Sequence, residues 1–219
     1  MSDEFIFNGI SSSSMGVVMN QKWIDDVPEI RYEEIAIEGR DGSILVPLNY
    51  KTVSKEVACT LLNKNRHAEI QSWLRGKGKL VLGGRYRQAY IFNQLKFQKN
   101  GPFREDFTIP FLLDPFWYLD GDAYAAYTST VNNDGNVDAA PLLKITGTGT
   151  SSITINGLVF AVTLEAADVL VMDCLDKSEN LPQKVSIGFD YPKLSPGANA
   201  IAVSGNAVIN IMRKDRWIG

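Results

Sequence analysis

The chain is composed of short segments in which apolar and polar residues alternate, and turn residues separate these segments. A period of two is that of a β-strand with one buried face, so its repetition predicts antiparallel sandwiches or barrels. The longest example joins Ala89 to Gln98 and Phe103 to Phe111 through a turn at residues 99–102, which predicts a hairpin. The side chains predicted to share one face of the second run are Phe103, Phe107, Ile109 and Phe111.

A further hairpin is predicted between Arg31 and Val46. Residues 31–38 alternate and place Ile35 on the same face as Ile37, and residues 40–42 turn the chain. Ile44 and Val46 continue the alternation in the returning strand.

One helix stands out against this β pattern. Asn65 is expected to cap it, Ile70, Trp73 and Leu74 have helical spacing, and Gly76 is expected to close it. A helix of about ten residues must dock its apolar stripe on a sheet to be stable. The first half of the chain is therefore predicted to be an α+β domain, a β-sandwich or barrel with one short helix and a long hairpin.

The sequence changes character around residues 114–122, and from Tyr124 onward it consists of strands and polar turns. We therefore predict two domains, residues 1–120 and residues 121–219, in a mainly β protein. Seven short strands are predicted in the second domain, an all-β sandwich: Leu142 to Thr146, Ser152 to Ile155, Leu158 to Val162, Val169 to Met172, Lys184 to Ile187, Ala200 to Ser204 and Ala207 to Met212.

Two turns are expected to organise this second domain. Asn156 and Gly157 form a tight reversal between the second and third strands. Within Tyr191 to Asn206, a bend at residues 195–197 is followed by an alternating strand, and residues 204–206 reverse the chain into the last strand. This pattern predicts a corner followed by a hairpin.

The composition is that of an ordinary globular protein. Hydrophobic residues make up 45% of the chain and the formal net charge is -3, so charge alone indicates no partner. The N-terminus lacks the pattern of a secretory signal, and no apolar run approaches the roughly 18 residues of a membrane span. Cys59 and Cys174 are expected to be reduced core thiols of a protein made in a reducing cytosol.

The sequence offers no catalytic or metal-binding constellation. His67 is the only histidine, which excludes a multi-histidine metal site, and its place in the predicted helix favours a structural role. Residues 147–152 lack the lysine and the following helix of a phosphate-binding loop. We expect no enzyme, no cofactor and no metal, although the 25 acidic residues leave a hydrolase with a carboxylate pair open.

Basic residues are concentrated between Lys64 and Arg104, a segment in which Glu69 is the only acidic residue. One interpretation is a surface that faces DNA or an acidic partner, with Tyr86, Tyr90 and Phe92 as stacking groups. The alternative, which we favour, is an ordinary solvated face or a protein-docking edge, because the segment matches no nucleic-acid-binding module and the whole chain is acidic.

Several motifs, in their order along the chain, resemble the distal tail proteins of long-tailed, non-contractile phages. The resemblance rests on residues 5–12 (FIFNGISS), 39–42 (GRDG), 114–118 (DPFWY), 136–157 and 191–206 (YPKLSPGANAIAVSGN). It covers nearly the whole length, and the order of the motifs carries more weight than any single one.

The resemblance implies an N-terminal ring-forming domain and a C-terminal galectin-like β-sandwich outside the ring. It implies a hexamer at the virion tail tip that joins the tail tube protein to a tail-tip, fibre or tail-lysin protein and, in some phages, to a receptor-binding protein. DNA would pass through the channel without sequence readout, and no membrane would be contacted. Basic residues expected at the oligomer interface or facing the channel are Lys77, Lys79, Arg85, Arg87, Lys96 and Lys99. Residues expected to pack at the domain junction are Asp114, Pro115, Phe116, Trp117 and Tyr118.

A carbohydrate-binding module for a bacterial cell-wall polymer is the alternative function. Sugar-binding galectins use a histidine and a stacking tryptophan in one groove, whereas the second half of this chain has no histidine and only Trp217 near its end. A galectin-like fold without the sugar site is therefore the expectation.

Overall fold

A computed structural model describes residues 4–127 and 129–219 and is mainly β. The chain divides into two compact units, the first running through Trp117 and including Ile218 and Gly219, the second spanning Tyr118–Trp217. Within the described residues, no helix is both long and apolar enough to cross a membrane.

The first unit is an antiparallel sheet with one helix. Its elements are β1 (Ile6–Phe7), β2 (Ile10–Ser11), β3 (Val17–Met19), β4 (Ile30–Ala36), β5 (Ser43–Tyr50), β6 (Val53–Leu61), α1 (His67–Trp73), β7 (Gly76–Leu82), β8 (Arg85–Ile91), β9 (Lys96–Asn100), β10 (Arg104–Leu113) and β11 (Trp117–Leu119), the last crossing the unit boundary. The main sheet has the order β2-β1-β7-β8-β10-β6-β3, and β9 pairs with β10. β4 and β5 form a separate two-stranded hairpin at the predicted place.

The long predicted hairpin is present but interrupted. β9 pairs with residues 104–108 of β10, and β8 pairs with residues 112 and 113 on the same strand. Residues 92–95 therefore leave the ladder where the sequence predicted one continuous strand. They do so opposite an interval of β10 that contains Pro110, which has no N–H for a ladder bond.

The predicted shared face of β10 is confirmed for three of its four side chains. Phe107, Ile109 and Phe111 are buried, whereas Phe103 is 71% exposed. The difference arises because Phe103 lies in the turn that precedes β10, where the alternation of the strand has not yet begun.

The helical region begins earlier than predicted. Asn63, not Asn65, provides the cap: its side chain accepts a hydrogen bond from the Asn65 N–H at the start of a 3-10 turn that leads into α1. Ile70, Trp73 and Leu74 are buried, as their spacing predicted. The helix packs on the sheet through this stripe. The ring of Trp73 is parallel to that of Phe5, which precedes β1, and the two ring centroids are 5.8 Å apart.

The second unit is a sandwich of two five-stranded sheets. The ten strands of these sheets are β12 (Ala125–Ala126), β13 (Thr130–Asn133), β14 (Leu142–Thr146), β15 (Gly149–Ile155), β16 (Leu158–Leu164), β17 (Leu170–Asp173), β18 (Ser178–Glu179), β19 (Val185–Ser186), β20 (Gly197–Ser204) and β21 (Val208–Met212). A last short strand, β22 (Arg216–Trp217), belongs to neither sheet and pairs with β11. The seven predicted strands are present among them. One sheet has the order β12-β21-β14-β17-β18 and the other β13-β20-β15-β16-β19. Inward side chains of both sheets form one apolar core.

The predicted closing hairpin is wrong, although both of its strands exist. β20 and β21 belong to different sheets, so residues 205–207 carry the chain across the sandwich. Gly205 has a φ of 111°, and a Cβ there would lie 2.5 Å from Ser151 Oγ, so the crossing depends on a close backbone approach. By contrast, the Asn156–Gly157 reversal joins β15 and β16 as predicted, with positive φ at both residues.

Candidate interaction surfaces

The hairpin of β4 and β5, which we call the arm hairpin (residues 30–50), exposes apolar side chains of the first unit along both of its strands. Among the described strands, β4 and β5 pair with each other and with no third strand. Tyr32 is 61%, Leu45 58% and Leu48 53% exposed. Ile35 pairs with Ile44 as the alternation predicted, but this face is uncovered in the single chain. Exposed apolar surface of this extent marks an interaction site.

The arm hairpin has one blunted edge and one open edge. β5 contains Pro47, whose nitrogen cannot donate a ladder bond, and proline is confined to strands at the edge of a sheet. β4 has no proline over its seven residues. An unblunted edge strand can add a strand from another chain.

A buried polar cluster holds the segment that leads into the arm hairpin. Asp25 Oδ1 accepts hydrogen bonds from the indole N–H groups of Trp23 and Trp117, each at 2.8 Å. The same oxygen lies 3.4 Å from Nη2 of Arg87. Since Trp23 and Asp25 precede β4 by only a few residues, the cluster fixes one end of the arm hairpin to the sheet.

The two ends of the arm hairpin are also joined to each other, and its second strand is attached through Tyr50. The backbone N–H of Lys51 donates to the carbonyl of Glu29 at 2.7 Å, and the two side chains form an ion pair at 2.8 Å. The ring of Tyr50 meets that of Phe116 edge to face at 5.4 Å. The arm hairpin is thus anchored at its base while the faces of its strands stay exposed.

Arg87 differs from the expectation of a surface residue. It is 1% exposed, and its guanidinium carbon lies 4.2 Å from the ring centroid of Trp117. Burial lowers the pKa of Arg87 to about 10, and the nearby carboxylate of Asp25 opposes this shift. Its Nε has no hydrogen-bond partner among the described residues. The side chain is enclosed in the single chain, and its role at an oligomer interface or a channel stays a prediction.

The remaining predicted basic residues lie on two separate strand pairs. Lys77 and Lys79 are exposed on β7, Arg85 is half-buried at the start of β8, and Lys96 and Lys99 are exposed on β9. Strand pairing therefore does not bring all of them into one patch. Their role at an interface or a channel stays a prediction.

Lys77 and Lys79 belong to a surface that we call the lysine–tyrosine face (Lys77, Lys79, Tyr86, Tyr90 and Phe92). Nζ of Lys79 lies 4.5 Å from the ring centroid of Tyr86, and Nζ of Lys77 lies 5.9 Å from that of Tyr90. The Tyr90 and Phe92 rings are 5.7 Å apart. Such cation–π contacts hold the ammonium groups beside the aromatic rings.

Two of the predicted junction residues pack within the first unit. Trp117 is buried there, with its ring 6.2 Å from that of Trp23. Phe116 contacts Tyr50 of the same unit. Both aromatic rings therefore contribute to the anchoring of the arm hairpin described above.

The other three predicted junction residues are at least partly enclosed. Burial raises the pKa of the Asp114 carboxyl, and the neighbouring Lys77 opposes this shift. Pro115 and Tyr118 are partly buried. Packing of the junction residues between the two domains stays a prediction.

Asp25 contributes most to the anchoring of the arm hairpin, and its sequence pattern did not indicate this role. It lies in an irregular segment with an acidic neighbour, Asp26, and neither residue has a spacing that distinguishes a buried acceptor from a solvated turn residue. Only the position of the two indoles in the fold distinguishes them.

The titratable groups that could carry chemistry have ordinary structural partners. His67 Nδ1 lies 2.8 Å from a carboxylate oxygen of Glu105, and its ring packs on Phe97. Burial raises the pKa of the Cys59 and Cys174 thiols to about 12, which disfavours the reactive thiolate. Among the described residues, no group of three or more His, Cys, Asp or Glu side chains could hold a metal ion.

The fold of the chain is similar to that of a phage hub protein. In particular, it is similar to the SPP1 Dit (gp 19.1) protein, described as a paradigm of the hub adsorption apparatus in phages that infect Gram-positive bacteria. The two structures superpose with a TM-score of 0.70 over 96% of this chain and 98% of the other, at 13% sequence identity.

Weaker matches are two structures of the phage P2 baseplate in its activated conformation, with Ca and with Sr. Their TM-scores are 0.49 and 0.47, both at 10% identity, covering 98% of this chain and 99% of the other. No protein-family model and no curated protein sequence matches the chain.

Proposed function

We propose that this chain is a non-enzymatic structural subunit of a phage tail tip, which assembles into a hexameric ring. The ring joins the distal end of the tail tube to a tail-tip, fibre or tail-lysin protein, or to a receptor-binding apparatus. The N-terminal unit builds the ring and the C-terminal unit, a galectin-like sandwich, lies outside it. DNA passes through the channel without specific binding.

The arm hairpin is the observation that carries this proposal. Its apolar side chains are exposed on both faces although its base is anchored, as expected of an element that is buried only in an assembly. The full-length similarity to the SPP1 Dit fold supports a hub as that assembly.

Mass measurement tests the ring directly. We expect light scattering of the purified full chain to give the mass of six copies of the 24.2 kDa protein, and negative-stain images to show rings with a central opening. Immunogold labelling of phage particles that carry the protein should mark the tail end. A strictly monomeric protein at high concentration, together with labelling elsewhere on the particle, would contradict the proposal.

The carbohydrate-binding alternative receives no comparable support. The outward positions of β15, β16 and β20 carry only Ala, Ser, Thr and Val side chains. Sugar sites need planar apolar rings or several convergent polar groups. Binding of the full chain to a glycan array would restore this alternative.

A further inference from the structure

We propose that the lysine–tyrosine face receives the arm hairpin of a neighbouring copy of this chain. The inference rests on the proposed ring, and it names the two surfaces that meet there. Both surfaces belong to the first unit, and they lie on different strands of it.

The receiving face is regular and basic. β7 and β8 pair over seven residues, with Lys77 opposite Tyr90 and Val81 opposite Tyr86. The basic residues of this face are Lys77 and Lys79, because Arg85 and Arg87 alternate to the opposite side of β8. The sequence has no acidic residue between positions 76 and 91. An acidic group, the carboxyl of Asp114, interacts with Lys77 and Tyr90 at one end of this face. The face therefore offers aromatic surface flanked by ammonium groups.

The arm hairpin is complementary to this face in charge and polarity. Between residues 30 and 50 it has four acidic and two basic residues. On β4, Glu34 shares one face of the strand with Tyr32, and Glu33 shares the other face with Ile35, so each face carries one carboxylate beside an apolar side chain. Glu34 also accepts a hydrogen bond from Ser43 Oγ at 2.5 Å, which holds its side chain against the hairpin.

The two surfaces also match in length. β4 and β5 have seven and eight residues, and β7 and β8 have seven each. At about 3.4 Å per residue, each pair is roughly 24 Å long. A two-stranded ribbon can therefore cover the whole face in one layer, at the spacing of about 10 Å typical of packed sheets.

The geometry of such a contact favours a ring. A contact between two different surfaces of identical chains is heterologous, and heterologous contacts form closed rings when the rotation between copies closes. Each copy then donates one arm hairpin and receives another. No arm hairpin is left uncovered, which removes the exposed apolar surface of the single chain.

Reciprocal charge reversal tests the contact. The face variant is Lys77→Glu with Lys79→Glu, and the arm variant is Glu33→Lys with Glu34→Lys. All four side chains are exposed, so circular dichroism and urea unfolding should show folded proteins.

We expect each of the two variants alone to need at least about a tenfold higher concentration for assembly, because like charges then face each other at every contact. An equimolar mixture should restore rings, since a six-membered ring can alternate the two variants with complementary charges at every contact.

The matched control is Lys144→Glu with Lys193→Glu, the same charge change at exposed positions of the second unit. It should assemble like the unmodified protein. A control that lost assembly as much as the face variant would show that the effect is not specific to the lysine–tyrosine face, and the inference would be wrong.

The other outcomes separate the inference from the proposed function. If the unmodified chain forms rings and the face variant forms them equally well, or if the mixture of folded variants fails to assemble, the inference is wrong and the ring proposal stands. If the unmodified chain never assembles, the ring proposal itself fails. A face variant that assembles normally but loses DNA affinity at low salt would assign the face to nucleic acid instead, and would also overturn the inference.

Discussion

The arm hairpin and the hairpin of β15 and β16 have the same sequence period and opposite surroundings. Both are antiparallel pairs of seven- or eight-residue strands in which apolar residues alternate over part of the length, as Ile35 and Ile37 do in the arm hairpin and Ile153 and Ile155 in β15. In β15, Ile153 is 0% exposed because a second sheet covers it, whereas Ile35 of β4 is 42% exposed. Alternation thus specifies a strand with one apolar face, and the rest of the fold decides whether the chain itself covers that face.

A matched pair of truncations should show this difference most strongly. Ile153→Ala removes a fully buried side chain, and we expect it to lower the free energy of unfolding of its unit by about 2–5 kcal/mol. Ile35→Ala should change the unfolding of the monomer by no more than about 0.5 kcal/mol. Urea unfolding at low protein concentration, followed by circular dichroism, measures both. An equal loss in the free energy of unfolding for Ile153→Ala and Ile35→Ala would show that other parts of the same chain cover the arm hairpin.

The anchoring of the arm hairpin gives the next largest effect. Asp25→Ala leaves two indole N–H groups and the Arg87 guanidinium without their shared acceptor, and we expect a loss of about 2–3 kcal/mol. Asp25→Asn keeps an acceptor oxygen and is the control, with a smaller loss. Urea unfolding followed by circular dichroism and tryptophan fluorescence measures both losses. An Asp25→Ala protein as stable as the Asp25→Asn protein would mean that the cluster does not anchor the segment.

These comparisons show which parts of the fold could be predicted from sequence. β14 has the predicted bounds, and the Asn156–Gly157 turn is where its backbone chemistry requires it. The bounds of β14 and the position of this turn are both determined by residues of one strand or of two neighbouring strands. The passage of the chain from one sheet to the other at Gly205 could not be predicted. A turn between two alternating segments has the same sequence pattern whether the second strand pairs with the first or joins the opposite sheet.

The surfaces were predictable to a smaller extent. Lys77 and Lys79 are exposed beside tyrosines, as the basic segment indicated, but Arg87 on the adjacent strand points inward against two indoles. Its charge gives no indication of this burial, because the burial is compensated by Asp25, which is distant in sequence.

Apolar side chains of the arm hairpin should matter for assembly and not for folding. Leu45→Ser with Leu48→Ser removes two exposed leucines, so we expect folded monomers whose assembly needs a several-fold to tenfold higher concentration. Light scattering over a dilution series measures the shift. The matched control, Leu175→Ser, changes a leucine of similar exposure in the second unit and should leave assembly unchanged.

The smallest expected effect compares the turns of the two hairpins. Gly157 and Gly39 both have positive φ, at 82° and 80°, and an added Cβ would meet no atom within 4 Å at either position. Gly157→Ala therefore adds only backbone strain, about 1 kcal/mol, to the unfolding of a cooperative sandwich. Gly39→Ala introduces the same strain into a hairpin whose strands pair only with each other, so local fraying of residues 37–42 can relieve it without loss of monomer stability.

Urea unfolding of these two glycine variants should differ accordingly, and in Gly39→Ala faster amide hydrogen exchange should be confined to the arm hairpin. The result depends on whether the arm hairpin can open while the main sheet of the first unit stays folded. If Gly39→Ala lowered the stability of the whole first unit by as much as Gly157→Ala lowers that of the second, the arm hairpin would have to fold cooperatively with its sheet. Its exposed faces could then not be regarded as independent of the core.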